Sequence, residues 1–134
     1  MQTFLPSSNF RYCAQVIDNK RLWKQILEAN QIFNILSKKT DGGRYKSHPA
    51  IKMWDGYLDC LLQYRNIFVE GWMERRLSSP PSIKKDFYAI PMPKWLDDER
   101  LFSSHRSALL AKNYDYYSKF GWKESPEIKY FWPI

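Results

Sequence analysis

The sequence predicts an all-α fold: a single compact domain of three main helices with a long Pro-rich loop and an aromatic C-terminal tail. Three observations carry this expectation. Apolar residues recur at helical spacing in two long segments, Leu22, Ile26, Ala29, Phe33 and Leu36 in one, and Trp54, Tyr57, Leu58, Leu61, Phe68 and Trp72 in the other. No segment alternates apolar and polar residues with period two over any length. At 134 residues, 44% hydrophobic and 17% aromatic, the chain is long enough and apolar enough to bury one core and is not composed like a disordered one.

The elements follow in order. After Pro6, the run SSNFRYCAQVI suits a short helix capped by Ser7 or Ser8 and ending near Asp18. Residues 19–38 make the first long helix, which Gly42 and Gly43 interrupt in KKTDGGRYK. Pro49 opens a second long helix at SHPAIKMW, where its missing N–H costs nothing, and the apolar spacing runs to about Arg76. From Leu77 to Pro93 the chain reads as a loop, because Pro80, Pro81, Pro91 and Pro93 preclude a continuous helix. A third main helix runs roughly from Asp98 to Lys112, and a shorter one from Tyr114 to Phe120 stops at Gly121. The tail WKESPEIKYFWPI is too aromatic for a free terminus and is expected to pack back on the body. Residues 1–134 are read as one domain.

Charge and composition narrow the function. The balance of 21 Lys+Arg against 14 Asp+Glu gives a formal +7, which suits a polyanionic partner because phosphate contacts release counterions. Aromatic residues interleaved with the basic ones suit stacking on unpaired bases and point toward nucleic acid. No apolar run approaches the length of a membrane span, and MQTFLPSSNFRY lacks the basic-then-apolar order of a secretory signal. An intracellular protein is expected, with Cys13 and Cys60 free rather than bridged. His48 and His105, the only histidines, lie in no H-x-x-x-H or C-x-x-C context, so neither a metal nor another cofactor is expected. A Gly-rich phosphate loop and a G-x-S-x-G motif are also absent.

What remains is amine and carboxylate chemistry. In the first long helix Arg21, Lys24, Gln25 and Glu28 fall within an arc of roughly 100°. Ile32 and Ile35 take over nearly the same direction further along, so the polar group is confined to the first two turns. A Lys24–Glu28 pair with the base N-terminal to the acid is worth at most a few tenths of a kcal/mol, a thin reason to place it there. An α-amino group with a pKa of about 7.7 is roughly 15% neutral at pH 7, against about 0.04% for a lysine near 10.4. A chain terminus is therefore the better-supplied amine nucleophile, and the bulky Gln2 is expected to leave Met1 in place.

The stretches MQTFLP, KRLWKQILEANQIF, YKSHPAIKMW and SSHRSALLAKNYDYYSKFGW span nearly the whole chain in order. Together they resemble the pyrimidine-dimer DNA glycosylases, the phage-type dimer-excision endonuclease V family. The resemblance implies an all-α single domain whose N-terminal α-amine attacks C1′ of a damaged nucleotide. A Schiff base forms, the base leaves, and β-elimination nicks the strand. Carried onto this chain, the resemblance assigns the nucleophile to Met1 and the grip on bent DNA to Arg21 and Lys24. It implies double-stranded DNA with a damaged or modified base as the partner, and a monomer that acts on it. The family's glutamate usually follows directly after a basic residue; here Gln25 follows Lys24, and Glu28, one turn on, supplies the carboxylate of the same arc. Met1, Glu28 and Gln25 are accordingly the candidate catalytic residues. Arginine often follows the terminal residue in the family, where this chain has Gln2.

Further DNA contacts are expected elsewhere. Arg44 and Lys46, with Tyr45, form a loop suited to phosphates, and His48 is either a helix cap ahead of Pro49 or a group at the site. His105 and Arg106 sit mid-helix, where a polar cluster lining the core is the default; the resemblance turns them toward DNA. In KNYDYYSKFGWK, basic and aromatic residues alternate, and Lys112, Tyr117, Lys119 and Trp122 are expected on the DNA face, with an aromatic wedging or stacking against a base. Two other readings stay open: a damaged-DNA-binding module that has lost the chemistry, and an enzyme acting on hypermodified bases.

Overall fold

Asn9 opens the first helix: its side chain accepts the Tyr12 N–H, and α1 covers Phe10–Val16. In this computed structural model, which describes residues 1–79, 82 and 91–134, the cap thus falls after Ser7 and Ser8. The Ser7 carbonyl is taken instead by the Cys13 thiol. Asp18 caps α2 (Asn19–Leu36) by accepting the Arg21 N–H, and the helix turns Leu22, Ile26, Ala29 and Ile32 into the core.

The second long helix differs from expectation. His48 caps α3 through Nδ1, which accepts the Ala50 N–H at 3.0 Å, but α3 ends after one turn (Pro49–Lys52). Gly56 then takes φ +86°, a left-handed conformation that costs a side-chain-bearing residue dearly. The chain restarts as α4 (Leu58–Arg75). A continuous helix from Pro49 would have carried its apolar stripe past this turn; the break lets α3 and α4 present separate faces to the core. The end of α4 lies by the start of α2, where Arg75 donates to Asn19 Oδ1 and to the carbonyls of Ala14 and Ile17. Gly71 brings α4 close to α1: a Cβ built there would stand 3.2 Å from that of Ala14.

Of the expected Pro-rich loop, Pro80, Pro81 and residues 83–90 lie outside the described residues. The chain reappears in a 3-10 turn, Lys94–Asp97, whose Trp95 donates from Nε1 to the Met53 carbonyl at 2.7 Å. Asp98 then caps α5 (Glu99–Lys112). The expected short helix becomes α6 (Tyr114–Tyr117) followed by a 3-10 turn, Ser118–Phe120, before Gly121. Among the described residues there is no strand, so the fold is all-α. One hydrophobic cluster unites the elements, with Trp54, Tyr64, Phe68, Leu109 and Tyr117 fully buried in it. The aromatic tail does pack back: the Phe131 N–H reaches Ser104 Oγ at 3.1 Å, and the Arg100 guanidinium covers the Phe131 ring. Cys13 and Cys60 are free and buried, and burial pushes both thiols up to about 12. Among the described residues no helix is long and apolar enough to cross a membrane.

Candidate active site

A buried segment outside helix and sheet has to find partners for its backbone among side chains. Residues 2–5 are such a segment, with relative exposures between 0% and 5%. The Gln2 N–H donates to Glu28 Oε2 at 3.0 Å, the Phe4 N–H to Gln25 Oε1 at 2.7 Å, and the Leu5 N–H to His105 Nδ1 at 2.8 Å. The Thr3 N–H is satisfied locally by Gln2 Oε1, while Thr3 Oγ1 accepts from Trp54 Nε1. The Tyr64 hydroxyl lies 2.9 Å from the Phe4 carbonyl and 3.2 Å from Gln25 Oε1, and Arg106 donates to the Pro6 carbonyl. Side chains from α2, α4, α5 and the α3–α4 connection thus fix the arm that carries Met1.

The polar arc of α2 lies against this arm. Gln25 is 1% exposed; besides receiving the Phe4 N–H, it donates from Nε2 to Glu28 Oε2 at 3.3 Å. Among the described residues, both hydrogen bonds to Glu28 converge on Oε2, and Oε1 carries none. A cavity of about 230 Å³ opens here, bounded by Met1, Gln2 and Phe4 on one side and by Lys20, Arg21, Lys24, Gln25 and Glu28 of α2 on the other. Lys112 at the end of α5 and Tyr130 of the tail close it. Glu28 is the single carboxylate among these lining residues. Arg21 is paired with Asp18 at 3.1 Å, whereas Lys20, Lys24 and Lys112 form no ion pair among the described residues. The rim is strongly positive around one acid, an arrangement that attracts a polyanion and leaves a carboxylate to handle protons inside it.

Two neighbours feel this charge. Burial chiefly, then repulsion from the terminal amine, lowers the His48 pKa below the usual imidazole range, with Glu28 opposing. Burial raises the Tyr130 phenol, Arg21 lowers it and Glu28 raises it again. His48 packs edge-on against Trp132, which touches Tyr130 in turn.

The expected site residues divide into three groups. Met1, Arg21, Lys24, Gln25, Glu28 and Lys112 meet at the cavity. Arg44 and Lys46 are exposed on the loop before α3, Arg44 lying over the Tyr45 ring and Lys46 lining a separate groove with Lys38 and Lys39. His48 caps α3 and Lys119 is exposed, whereas His105, Arg106, Tyr117 and Trp122 require correction. His105 is fully buried rather than turned to DNA; its Nδ1 holds the Leu5 N–H and burial lowers its pKa to about 3, so it stays neutral. Arg106 is drawn inward by Glu124 and Glu99 and by the Pro6 carbonyl. Tyr117 is fully buried, donating its hydroxyl proton to Asp18 and stacking on Trp122. Trp122 donates from Nε1 to the Tyr12 hydroxyl, and the Lys119 ammonium sits over the Tyr116 ring at 4.0 Å. The aromatic–basic alternation of residues 112–123 therefore builds a packed cluster against α1, and Lys112 alone of the four residues expected on the DNA face lines the cavity.

Sequence reasoning missed Lys20, Phe4 and Tyr130 as lining residues. Lys20 was in reach, one turn before Lys24 on the same helix. Tyr130 carries no local signal, because only the folded tail brings it to α2.

A family model described as pyrimidine dimer DNA glycosylase matches residues 1–84, which include the arm, α2 and its polar arc. No curated protein and no solved structure matches the chain.

Proposed function

The chain belongs to the pyrimidine dimer DNA glycosylase family, and from that premise we propose that it excises a damaged or modified pyrimidine from duplex DNA and then nicks the strand as an AP lyase. The Met1 α-amine is the nucleophile. Its lone pair forms the N–C1′ bond as the glycosidic bond breaks and the base leaves with that bond's electrons. Loss of the amine's protons to water and opening of the sugar ring at C1′–O4′, with O4′ protonated, give the imine. Glu28 Oε1 then takes a proton from C2′, and the electrons released expel the 3′-phosphate.

The observation that carries this reading is the bond from the Gln2 N–H to Glu28 Oε2, 3.0 Å long. It holds the carboxylate beside the peptide unit that follows the Met1 amine, three covalent bonds from that nitrogen. Lys20, Arg21, Lys24 and Lys112 around the cavity meet the phosphates flanking the lesion. Arg44 and Lys46 extend the basic surface along the duplex. The protein acts as a monomer inside the cell and uses no cofactor.

Borohydride reduction of the chain mixed with an abasic duplex tests the reading. A covalent adduct is expected, and digestion with mass spectrometry is expected to place it on the Met1 nitrogen. An adduct on a lysine overturns the assignment of the nucleophile. Salt-sensitive binding to distorted DNA with no adduct and no strand product makes the chain a damage-binding module instead.

A further inference from the structure

We infer that Gln25 is a positioning residue for this reaction: its amide sets both the arm that carries Met1 and the carboxylate of Glu28, and Glu28 is the acid because position 25 holds an amide. The inference rests on the proposed role of Glu28.

Three partners converge on this buried side chain with opposite demands. The Phe4 N–H needs an acceptor, supplied by Oε1 at 2.7 Å, and the Tyr64 hydroxyl stands 3.2 Å from the same oxygen. Glu28 Oε2 needs a donor, supplied by Nε2 at 3.3 Å. The amide carries both functions on one planar group. Its orientation is not ambiguous, because a backbone N–H can only donate, so Oε1 faces Phe4 and Nε2 is left for Glu28. The arm is thereby registered against α2 at two points one turn apart on the helix, Gln25 for Phe4 and Glu28 for Gln2. With Gln25 and Gln2 both on Oε2, Glu28 keeps Oε1 unengaged among the described residues.

A glutamate at position 25 satisfies Phe4 but brings a second carboxylate against Glu28 in a mostly buried place. Either the two share a proton or Glu28 swings away, and the free oxygen is lost in both cases. A glutamate at position 25 therefore damages this chain, and exchanging both side chains restores the pairing. In Gln25→Glu/Glu28→Gln, the carboxylate now at position 25 accepts from Phe4 and from the new amide, whose oxygen accepts the Gln2 N–H, and every donor finds an acceptor.

The test compares wild type, Gln25→Glu, Glu28→Gln and the double exchange in single-turnover nicking of an abasic duplex, with duplex affinity and melting temperature measured alongside. Gln25→Glu is expected to slow nicking about 100-fold at saturating DNA. Its duplex affinity stays within about threefold of wild type, a loss in the chemical step rather than in binding. The double exchange restores the pairing without restoring a carboxylate at position 28, and is expected to melt above Gln25→Glu while nicking as slowly as Glu28→Gln. Gln25→Glu with the full wild-type rate, or a double exchange that melts no higher than Gln25→Glu, overturns the inference. If Gln25→Glu does not fold, a folded double exchange supports the pairing and an unfolded one overturns it. No adduct from wild type overturns the proposed function instead; the melting temperatures then still decide the pairing, which fails if the double exchange melts no higher than Gln25→Glu.

Discussion

Two stretches of this protein lack long regular structure, and the fold treats them in opposite ways. The arm at residues 2–5 is buried, and its polar backbone is met by side chains from three helices. The tail after Gly121 lies on the surface, with polar anchors at Trp122, Glu124, Ser125, Glu127 and Phe131 and ring contacts between them. Tyr130 lies edge-on to Phe4 and His105, and Trp132 edge-on to His48. Ring contacts are tolerant of small shifts, since dispersion falls off gently with distance. Hydrogen bonds at 2.7–3.0 Å are not. The difference teaches where position matters: the arm is located, and the tail covers it.

The sharpest way to test that contrast is in the reaction. Glu28→Gln is expected to slow turnover by at least about 100-fold with duplex affinity nearly intact, measured by strand nicking under single-turnover conditions. Phe131→Ala in the tail leaves that rate within about threefold, and a comparable loss there erases the distinction. Next in size is an acid effect. His105 accepts from Leu5 only while neutral, and burial takes its pKa from 6.5 down to about 3. Below the unfolded value the unfolded chain binds the proton and the folded one does not. Stability is therefore complete above about pH 6.5 and falls by roughly 1.4 kcal/mol per pH unit toward pH 3. Chemical denaturation at several pH values checks this, and His105→Gln, whose amide oxygen accepts the same N–H, is expected to flatten the slope. Tyr64→Phe, which removes a buried hydroxyl from the Phe4 carbonyl, costs about 1–3 kcal/mol. Ser104→Ala, which releases the Phe131 N–H at the surface, costs about 0.5 kcal/mol. If the last two are equal by denaturant midpoint, arm and tail are held alike.

Much of this was legible along the chain. The 3.6-residue spacing found α2 to within two residues, and the confinement of Arg21, Lys24, Gln25 and Glu28 to two turns marked the cavity wall. Lys112 was reached through the pattern of residues 112–123, although Tyr117 and Trp122 belong to a packed cluster and Lys119 lies exposed over the Tyr116 ring. The turn at Gly56 was not found, because apolar periodicity continues across it and hides the break between α3 and α4. His105 was harder. A histidine on a helix shows nothing of whether its lone pair meets water or a backbone N–H a hundred positions away. The same holds for Gln25, whose meaning lies in Phe4, Tyr64 and Glu28 together. Local pattern reports which face a residue takes, and long-range pairing reports why.

The Leu5–His105 bond also has a consequence in time. The arm leaves the ribosome first, yet the imidazole that seats it is made a hundred residues later. At ordinary synthesis rates the two are separated by roughly 5 to 20 s. Through that interval α1 to α4 can assemble while Leu5 is without its acceptor. The arm's seat is thus completed only when α5 arrives, and a chain cut short before α5 would carry the family's matched segment without a finished arm.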